Sequence, residues 1–270
     1  MLKKLLVAVL TVLLLTSCST ENDENKFVVG LECNYAPFNW LQSDKDEGSV
    51  HVPSANGYCK GYDVTIAKKL ATSLNKELEI KAITWDGLIP ALQSDSIDAI
   101  IAGMSYSQER AKEVDFTDAY YESDYVMLVS KDSIYATATS LSDFSGANIV
   151  GQMGTNYDLI IDQIEGVNHQ PALTSYPLIV NAIKSGTADG APAEKPTAES
   201  ILATNPDLMM IEFEEGQGFT QSEDITTAVS IAIRKGDHEL LVALNKALSQ
   251  IDQTSRDTWM QEAINAEQGE

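Results

Sequence analysis

The stretch from Ile97 to Tyr121, IDAIIAGMSYSQERAKEVDFTDAYY, carries the pattern that decides the fold. It begins with a short apolar run, Ala99 to Ala102, whose length and flanking residues predict a buried strand. Gly103 ends this run. Ser105 and Ser107 then lie where a helix would start, so the sequence predicts unpaired backbone N–H groups at this point.

Arg110 follows these serines within one short polar segment. A guanidinium, hydroxyls and free N–H groups at the carboxyl end of a strand together form a receptor for a carboxylate, because the planar guanidinium can bind both oxygens at once. The alternative is a surface residue that pairs with Glu109 or Glu113.

Composition narrows the class of protein. The chain has 270 residues, of which 44% are hydrophobic, and this is enough for one large core or two modest ones. Its formal net charge of −22 argues against binding to nucleic acid and against basic contacts with an anionic membrane. No metal and no cofactor are expected, since no His or Cys cluster has ligand spacing.

The first residues predict export. Lys3 and Lys4 precede an apolar run from Leu5 to Leu15, which is too short for an ordinary spanning helix and is typical of a signal peptide. The segment Leu15-Thr16-Ser17-Cys18 resembles a bacterial lipobox, which implies cleavage after residue 17 and a lipid on Cys18. The protein would then be anchored to the outer face of the cell membrane, or be a periplasmic lipoprotein. A plain signal peptide with an incidental Cys is the alternative.

Two cysteines remain in the exported chain, Cys33 and Cys59. An even number in an exported protein makes a disulfide plausible, and two free buried thiols are the alternative.

Hydrophobic periodicity predicts strands that alternate with helices, which indicates an α/β protein with largely parallel sheets. Phe27–Leu31 is the first predicted strand. A polar segment, Leu41–Lys60, is interpreted as a surface loop, and Asp63 is predicted to cap the helix that follows it. Residues 19–25 are expected to be a short tether.

A longer motif surrounds the opening stretch and resembles the signature of the amino-acid-binding proteins of ABC importers, a family of bacterial solute-binding proteins. The matching residues are Trp85-Asp86-Gly87-Leu88-Ile89-Pro90-Ala91-Leu92, Asp98-Ala99-Ile100-Ile101-Ala102-Gly103-Met104-Ser105, Glu109-Arg110-Ala111-Lys112 and Asp115-Phe116-Thr117-Asp118-Ala119-Tyr120-Tyr121. The resemblance extends in weaker form over nearly all of the mature chain.

The resemblance implies a two-lobed, periplasmic-binding-protein-like (type II) α/β sandwich with a ligand cleft between the lobes. Residues 26–122 and 227–270 would form the first lobe, and residues 123–226 would form the second. Residues 1–17 would be the signal peptide and residues 18–25 the tether.

The resemblance also implies which residues bind the ligand. Arg110, Ser105 and the backbone at Thr155-Asn156 would hold a carboxylate. Glu194 and the Gly103 carbonyl would hold an ammonium group. Tyr35 and Trp85 would face each other across the slot, Gln152 would lie at the floor, and Glu32 would favour a cationic side chain. Met104 would be a further ligand-binding residue.

The expected function is therefore capture of a polar amino acid, preferably arginine, lysine, ornithine or histidine, by lobe closure. Delivery to an ABC permease with a cytoplasmic ATPase would follow, with the protein acting as a monomer. A neutral ligand such as glutamine or cystine is one alternative. An exported dehydratase-type enzyme on the same fold is another, with Glu194 and Glu32 as acid or base.

Overall fold

The computed structural model describes residues 25–222 and 225–267. The predicted signal peptide, Cys18 and nearly all of the tether lie outside the described residues. Within the described part, no helix is long and apolar enough to cross a membrane.

Strands and helices alternate along much of the chain, as the periodicity predicts. The strands are β1 (Lys26–Leu31), β2 (Asn34–Tyr35), β3 (Asn39–Gln42), β4 (Val50–Val52), β5 (Gly57–Lys60), β6 (Glu77–Ala82), β7 (Ala99–Ile100), β8 (Val114–Tyr121), β9 (Tyr125–Ser130), β10 (Asn148–Ile149), β11 (Asn168–His169), β12 (Gly190–Glu194), β13 (Leu208–Ile211) and β14 (Val229–Arg234). The α-helices are α1 (Tyr62–Ser73), α2 (Leu88–Gln93), α3 (Asn156–Leu159), α4 (Tyr176–Lys184), α5 (Lys195–Thr204), α6 (His238–Leu248) and α7 (Gln253–Glu267).

The first large sheet has the strand order β6-β1-β7-β14-β8. Strands β6, β1 and β7 are parallel, and β14 runs antiparallel to both of its neighbours. Helix α1 buries the apolar face that its sequence predicts, with Ile66 and Leu70 fully buried. Helix α6 begins after Asp237, whose carboxylate caps the helix by accepting a hydrogen bond from the Leu240 N–H at 3.1 Å.

The second large sheet has the order β11-β10-β12-β9-β13, and its strands come from one continuous segment, residues 125–211. We call the elements of the first sheet the first lobe and those of the second sheet the second lobe. The two-lobed α/β fold expected from the sequence is confirmed by this architecture. The proposed lobe boundaries near residues 122 and 227 stay a prediction.

The interpretation of Leu41–Lys60 as a surface loop is wrong. This segment contributes to a small antiparallel sheet with the order β2-β3-β5-β4, which belongs to the first lobe. Val52 and Cys59 are fully buried in it, because alternate residues of these short strands face the core. A disulfide joins Cys33 to Cys59 with their Cα atoms 5.7 Å apart, and thus ties this small sheet to the segment after β1.

Asp63 does not cap α1, contrary to the prediction. Gly61 occupies the cap position, and the Asp63 carboxylate is fully buried inside the first lobe. It accepts hydrogen bonds from Asn39 Nδ2 at 2.8 Å and from the Tyr120 hydroxyl at 2.6 Å. A buried carboxylate needs such donors, so Asp63 connects the small sheet, α1 and β8.

Candidate functional site

A small polar cavity lies between the two lobes. It measures 10 Å³ in this arrangement of the lobes, about the space of one water molecule, so a larger ligand requires the lobes to move apart. Its lining consists of Glu32, Tyr35, Trp85, Gly103, Ser105, Arg110, Gln152, Thr155, Asn156 and Tyr157. Nine of these ten residues belong to the set expected from the sequence.

Arg110 forms one wall of this cavity. Its Nη1 donates to the Ser105 carbonyl at 2.6 Å and its Nη2 donates to the Gly154 carbonyl at 2.7 Å. The guanidinium also lies 5.2 Å from the centre of the Trp85 ring. Burial lowers the pKa of Arg110 to about 10, which leaves the group charged at neutral pH. Arg110 thus faces the cleft and is not a surface residue that pairs with a neighbouring glutamate.

The helix predicted at Ser105 and Ser107 is absent from this described segment. Ser105 instead forms an isolated β-bridge with Val229, and the Ser230 N–H donates to the Met104 carbonyl at 2.9 Å. Only a short 3₁₀ turn follows, at Arg110–Lys112. Pairing with the first residues of β14 therefore prevents a helix here, because it uses backbone groups that a helix would need.

Glu32 lies just after β1 and contributes a carboxylate to the lining of this cavity, whereas Arg110 contributes a guanidinium. Burial raises its pKa to about 7, although hydrogen bonds from the Gln152 side chain and from the Trp85 backbone N–H oppose the rise. A hydrogen bond thus joins the side chains of Glu32 and Gln152 in this cavity.

Glu194, unlike most of the other predicted ligand-binding residues, lies outside the small cavity. It ends β12 and is fully buried, and it does not line the cavity that contains Arg110. The Tyr35 hydroxyl donates to Glu194 Oε1. Because Tyr35 also lines the cavity, it connects Glu194 to the cavity wall. Burial raises the pKa of Glu194 to about 8, while the bond from Tyr35 opposes the rise.

Tyrosines surround this Tyr35–Glu194 pair. The Tyr176 ring centre is 5.2 Å from that of Tyr35, and the Tyr157 ring centre is 6.1 Å from that of Tyr176. Sequence reasoning missed Tyr157 and Tyr176, because they lie in separate segments that no local pattern links. Tyr157 and Tyr176 are buried in the second lobe and Tyr35 belongs to the first, so aromatic groups of both lobes surround the carboxylate.

The segment before α3 supplies the second-lobe side of the cavity. Gly154 has a positive φ of 71°, which turns its carbonyl toward Arg110 and Trp85 Nε1, the latter at 3.3 Å. Thr155 and Asn156 are both buried, and Asn156 Nδ2 donates to the Thr226 carbonyl at 3.2 Å. Hydrogen bonds from Trp85 and Arg110 to Gly154 therefore join the two lobes.

A larger outer cavity of 330 Å³ adjoins the inner one and shares Trp85, Arg110, Thr155 and Asn156 with it. Met104, a predicted ligand-binding residue, lines this outer cavity. Four carboxylates also line it: Asp86, Glu109, Glu113 and Asp158. Among the described residues, no group of three or more His, Cys, Asp or Glu side chains could hold a metal ion.

Two lobes of α/β structure with a polar, charge-bearing cavity between them define a solute-binding protein. The model of the bacterial extracellular solute-binding proteins, family 3, matches residues 27–262. The chain belongs to this family, and the resemblance expected from the sequence is confirmed.

Relatives of the chain include the arginine-binding extracellular protein ArtP of Bacillus subtilis (strain 168). It is 30% identical over 264 residues, which cover 92% of this chain and 91% of that protein. A probable histidine-binding protein of Campylobacter jejuni is 31% identical over 240 residues, covering 83% and 87%. The structure of holo ArgBP from T. maritima is similar with a TM-score of 0.70 and 30% identity, covering 89% of this chain and 96% of that one.

Proposed function

We propose that the chain binds a free amino acid between its lobes, with a preference for a cationic side chain. Arg110, Ser105 and the backbone at Thr155-Asn156 hold the carboxylate, because a partly buried guanidinium beside hydroxyl and N–H donors suits two anionic oxygens. Tyr35 and Trp85 flank the aliphatic stem of the ligand.

The observation that carries the proposal is that Glu32 and Arg110 line one small cavity. A ligand with an anionic end and a cationic side chain matches this pair of opposite charges, and each of its ions would otherwise be buried without a partner. Gln152, which is bonded to Glu32, adds an amide acceptor for a guanidinium or ammonium group. Relatives named for arginine and histidine support the same ligand class.

Glu194 and the Gly103 carbonyl hold the α-ammonium group in this proposal. Tyr35 must release Glu194, or share it, when the ligand enters, since the Tyr35 hydroxyl is bonded to that carboxylate. The hydrogen bond between Tyr35 and Glu194 is a direct contact between the lobes. The ligand replaces it with its own contacts to both lobes. It thus stabilises the closed form selectively, which is the condition for capture by closure.

A neutral polar ligand such as glutamine or cystine is the second candidate. A carboxyl group whose pKa lies at about 7 is half protonated at neutral pH, and it can then donate a hydrogen bond to a neutral amide oxygen. A catalytic role of the dehydratase type has less support, because His51, His169 and His238 all lie outside the cavity lining.

Delivery of the closed, loaded protein to an ABC permease with a cytoplasmic ATPase completes the proposal. The monomer would be held at the membrane through a lipid on Cys18. The wild-type protein should incorporate a labelled fatty acid in cells, and replacing Cys18 with Ala should abolish that labelling; labelling that persists in the variant would contradict the anchor.

A calorimetric screen of the exported chain tests the ligand assignment. Arginine, lysine, ornithine, histidine, glutamine, cystine and citrulline are the probes. We expect binding of the cationic members in the micromolar range or tighter, about −8 kcal/mol or more favourable. If only glutamine or cystine binds, the result would favour the second candidate, a neutral polar ligand. If none of these amino acids binds, the proposal is refuted.

A further inference from the structure

His169 lies between two carboxylates on the second lobe. Its Nδ1 is 2.8 Å from Asp162 Oδ1, and its Nε2 is 3.0 Å from Asp158 Oδ1. A neutral imidazole carries a single N–H and could donate to only one of these oxygens, leaving a lone pair against the other carboxylate. Two short contacts of this kind therefore describe the imidazolium form, with one donor on each nitrogen.

Asp158 connects this cluster to the proposed binding site. It is the residue of the cluster that lines the outer cavity, together with Arg110 and Thr155. Asp86, Glu109 and Glu113 line the same cavity, so Asp158 is the fourth carboxylate in a lining that also contains Arg110. A protonated His169 neutralises this fourth carboxylate and holds it in place.

We propose that protonated His169 is a positioning residue for amino-acid binding, acting through Asp158 on the electrostatic field around Arg110. The inference rests on the proposed function, because it assumes that Arg110 binds the carboxylate of the ligand. An Asp158 carboxylate released from His169 competes with that ligand carboxylate for the guanidinium and repels it.

Partial burial disfavours the charged ring, but the hydrogen bonds and charges of Asp158 and Asp162 outweigh this and raise the pKa of His169. These aspartates are the charged groups that face the ring from α3 and the turn after it. The neighbouring strand β10, Asn148–Ile149, has no titratable side chain. The neutralising charge is therefore present at low pH and is lost as the pH rises through the pKa of His169.

The test compares the wild-type protein with the His169→Gln variant, using arginine as the probe in calorimetry at about pH 6 and about pH 9. At the lower pH the variant should bind about threefold to fivefold more weakly, the scale of an interaction between partly exposed charges. At the higher pH the two affinities should agree. Glu32 and Glu194 titrate in both proteins, so the ratio of the affinities isolates His169.

His51→Gln is the matched control, because His51 contacts Tyr58 in the small sheet and does not line either cavity of the cleft. It should bind arginine like the wild type at both pH values. The second variant, Asp158→Asn with His169→Gln, should regain the affinity of the wild type. An affinity ratio that is the same at both pH values, or no recovery in the double variant, would overturn the inference.

An NMR titration of the His169 ring separates this inference from the proposed function. If the wild type binds none of the amino acids, the proposed function and the role of His169 in binding fail together, while the titration still reports whether the ring is paired. We expect a pKa above the ordinary histidine value that falls in Asp158→Asn. An unshifted pKa with normal arginine binding would overturn only the inference about His169.

Discussion

The ionisation of Glu32 should set how strongly the protein discriminates arginine from citrulline, and the discrimination should depend on pH. Citrulline has the shape of arginine but carries a neutral urea group where arginine carries a guanidinium. Only an ionised carboxylate forms an ion pair with the guanidinium. Burial raises the pKa of Glu32 to about 7, so this carboxylate titrates in an accessible range.

The size of the effect follows from that pKa. Because the pKa is raised, the ionised form is lost as the pH falls through about 7. About 3% of Glu32 is ionised at about pH 5.5 and about 97% at about pH 8.5. The affinity for arginine relative to citrulline should therefore rise by about 30-fold between these conditions, since the apparent Kd scales with the competent fraction.

Calorimetry of both ligands across this range measures the ratio. Glu194 has a pKa of about 8 and titrates in the same range, but it affects both ligands alike because their α-ammonium groups are identical. Glu32→Gln should make the ratio small and independent of pH, with citrulline affinity retained. A ratio that does not change with pH in the wild type, or equal loss of both ligands in Glu32→Gln, would refute the reasoning.

The remaining predictions concern the carboxylate clamp and the stability of the first lobe. Arg110→Ala should reduce the affinity for every amino acid by at least about 100-fold, because a buried ion loses its partner, and thermal shifts with ligand should vanish. Gly61→Ala should cost about 3 kcal/mol or more in urea unfolding, since φ is 128° and the new Cβ would lie 2.4 Å from a backbone carbonyl oxygen. Gly186→Ala is its control: φ is 73° but nothing lies within 4 Å, so the cost should be only about 1 kcal/mol. Cys33→Ser with Cys59→Ser should remove about 3.5 kcal/mol, the loop-closure entropy of a 26-residue separation, and an unchanged urea midpoint would contradict that account.

The larger elements were predictable from sequence because their signals are local. Helix α4 begins with Pro177 in its first turn, and its Ile179 and Ile183 are buried at helical spacing. The two-lobed arrangement, by contrast, followed from the family resemblance alone. The residues of a strand such as β14 do not indicate which position the strand will take in a sheet.

The missed features are those in which tertiary contacts override a local preference. Asp63 is a residue type that favours helix caps and lies in the first turn of α1, yet Asn39 and Tyr120 provide donors that only the folded chain brings together. The strands of the small sheet are two to four residues long, too short for a clear alternation of polar and apolar residues. In the site, the individual lining residues were expected, but the enclosure of Glu194 by tyrosines was not.

The position of β14 has a consequence for the order in which the molecule is assembled. This strand lies between β7 and β8, although the whole second sheet separates it from them along the chain. The first sheet therefore cannot be completed until residues 229–234 have joined it. The strands of the second sheet all come from one uninterrupted segment, so this sheet can form earlier. The three tryptophans, Trp40, Trp85 and Trp259, all lie outside that segment. Their fluorescence should accordingly report the late stage of refolding, after the tyrosines of residues 125–176 have already become protected.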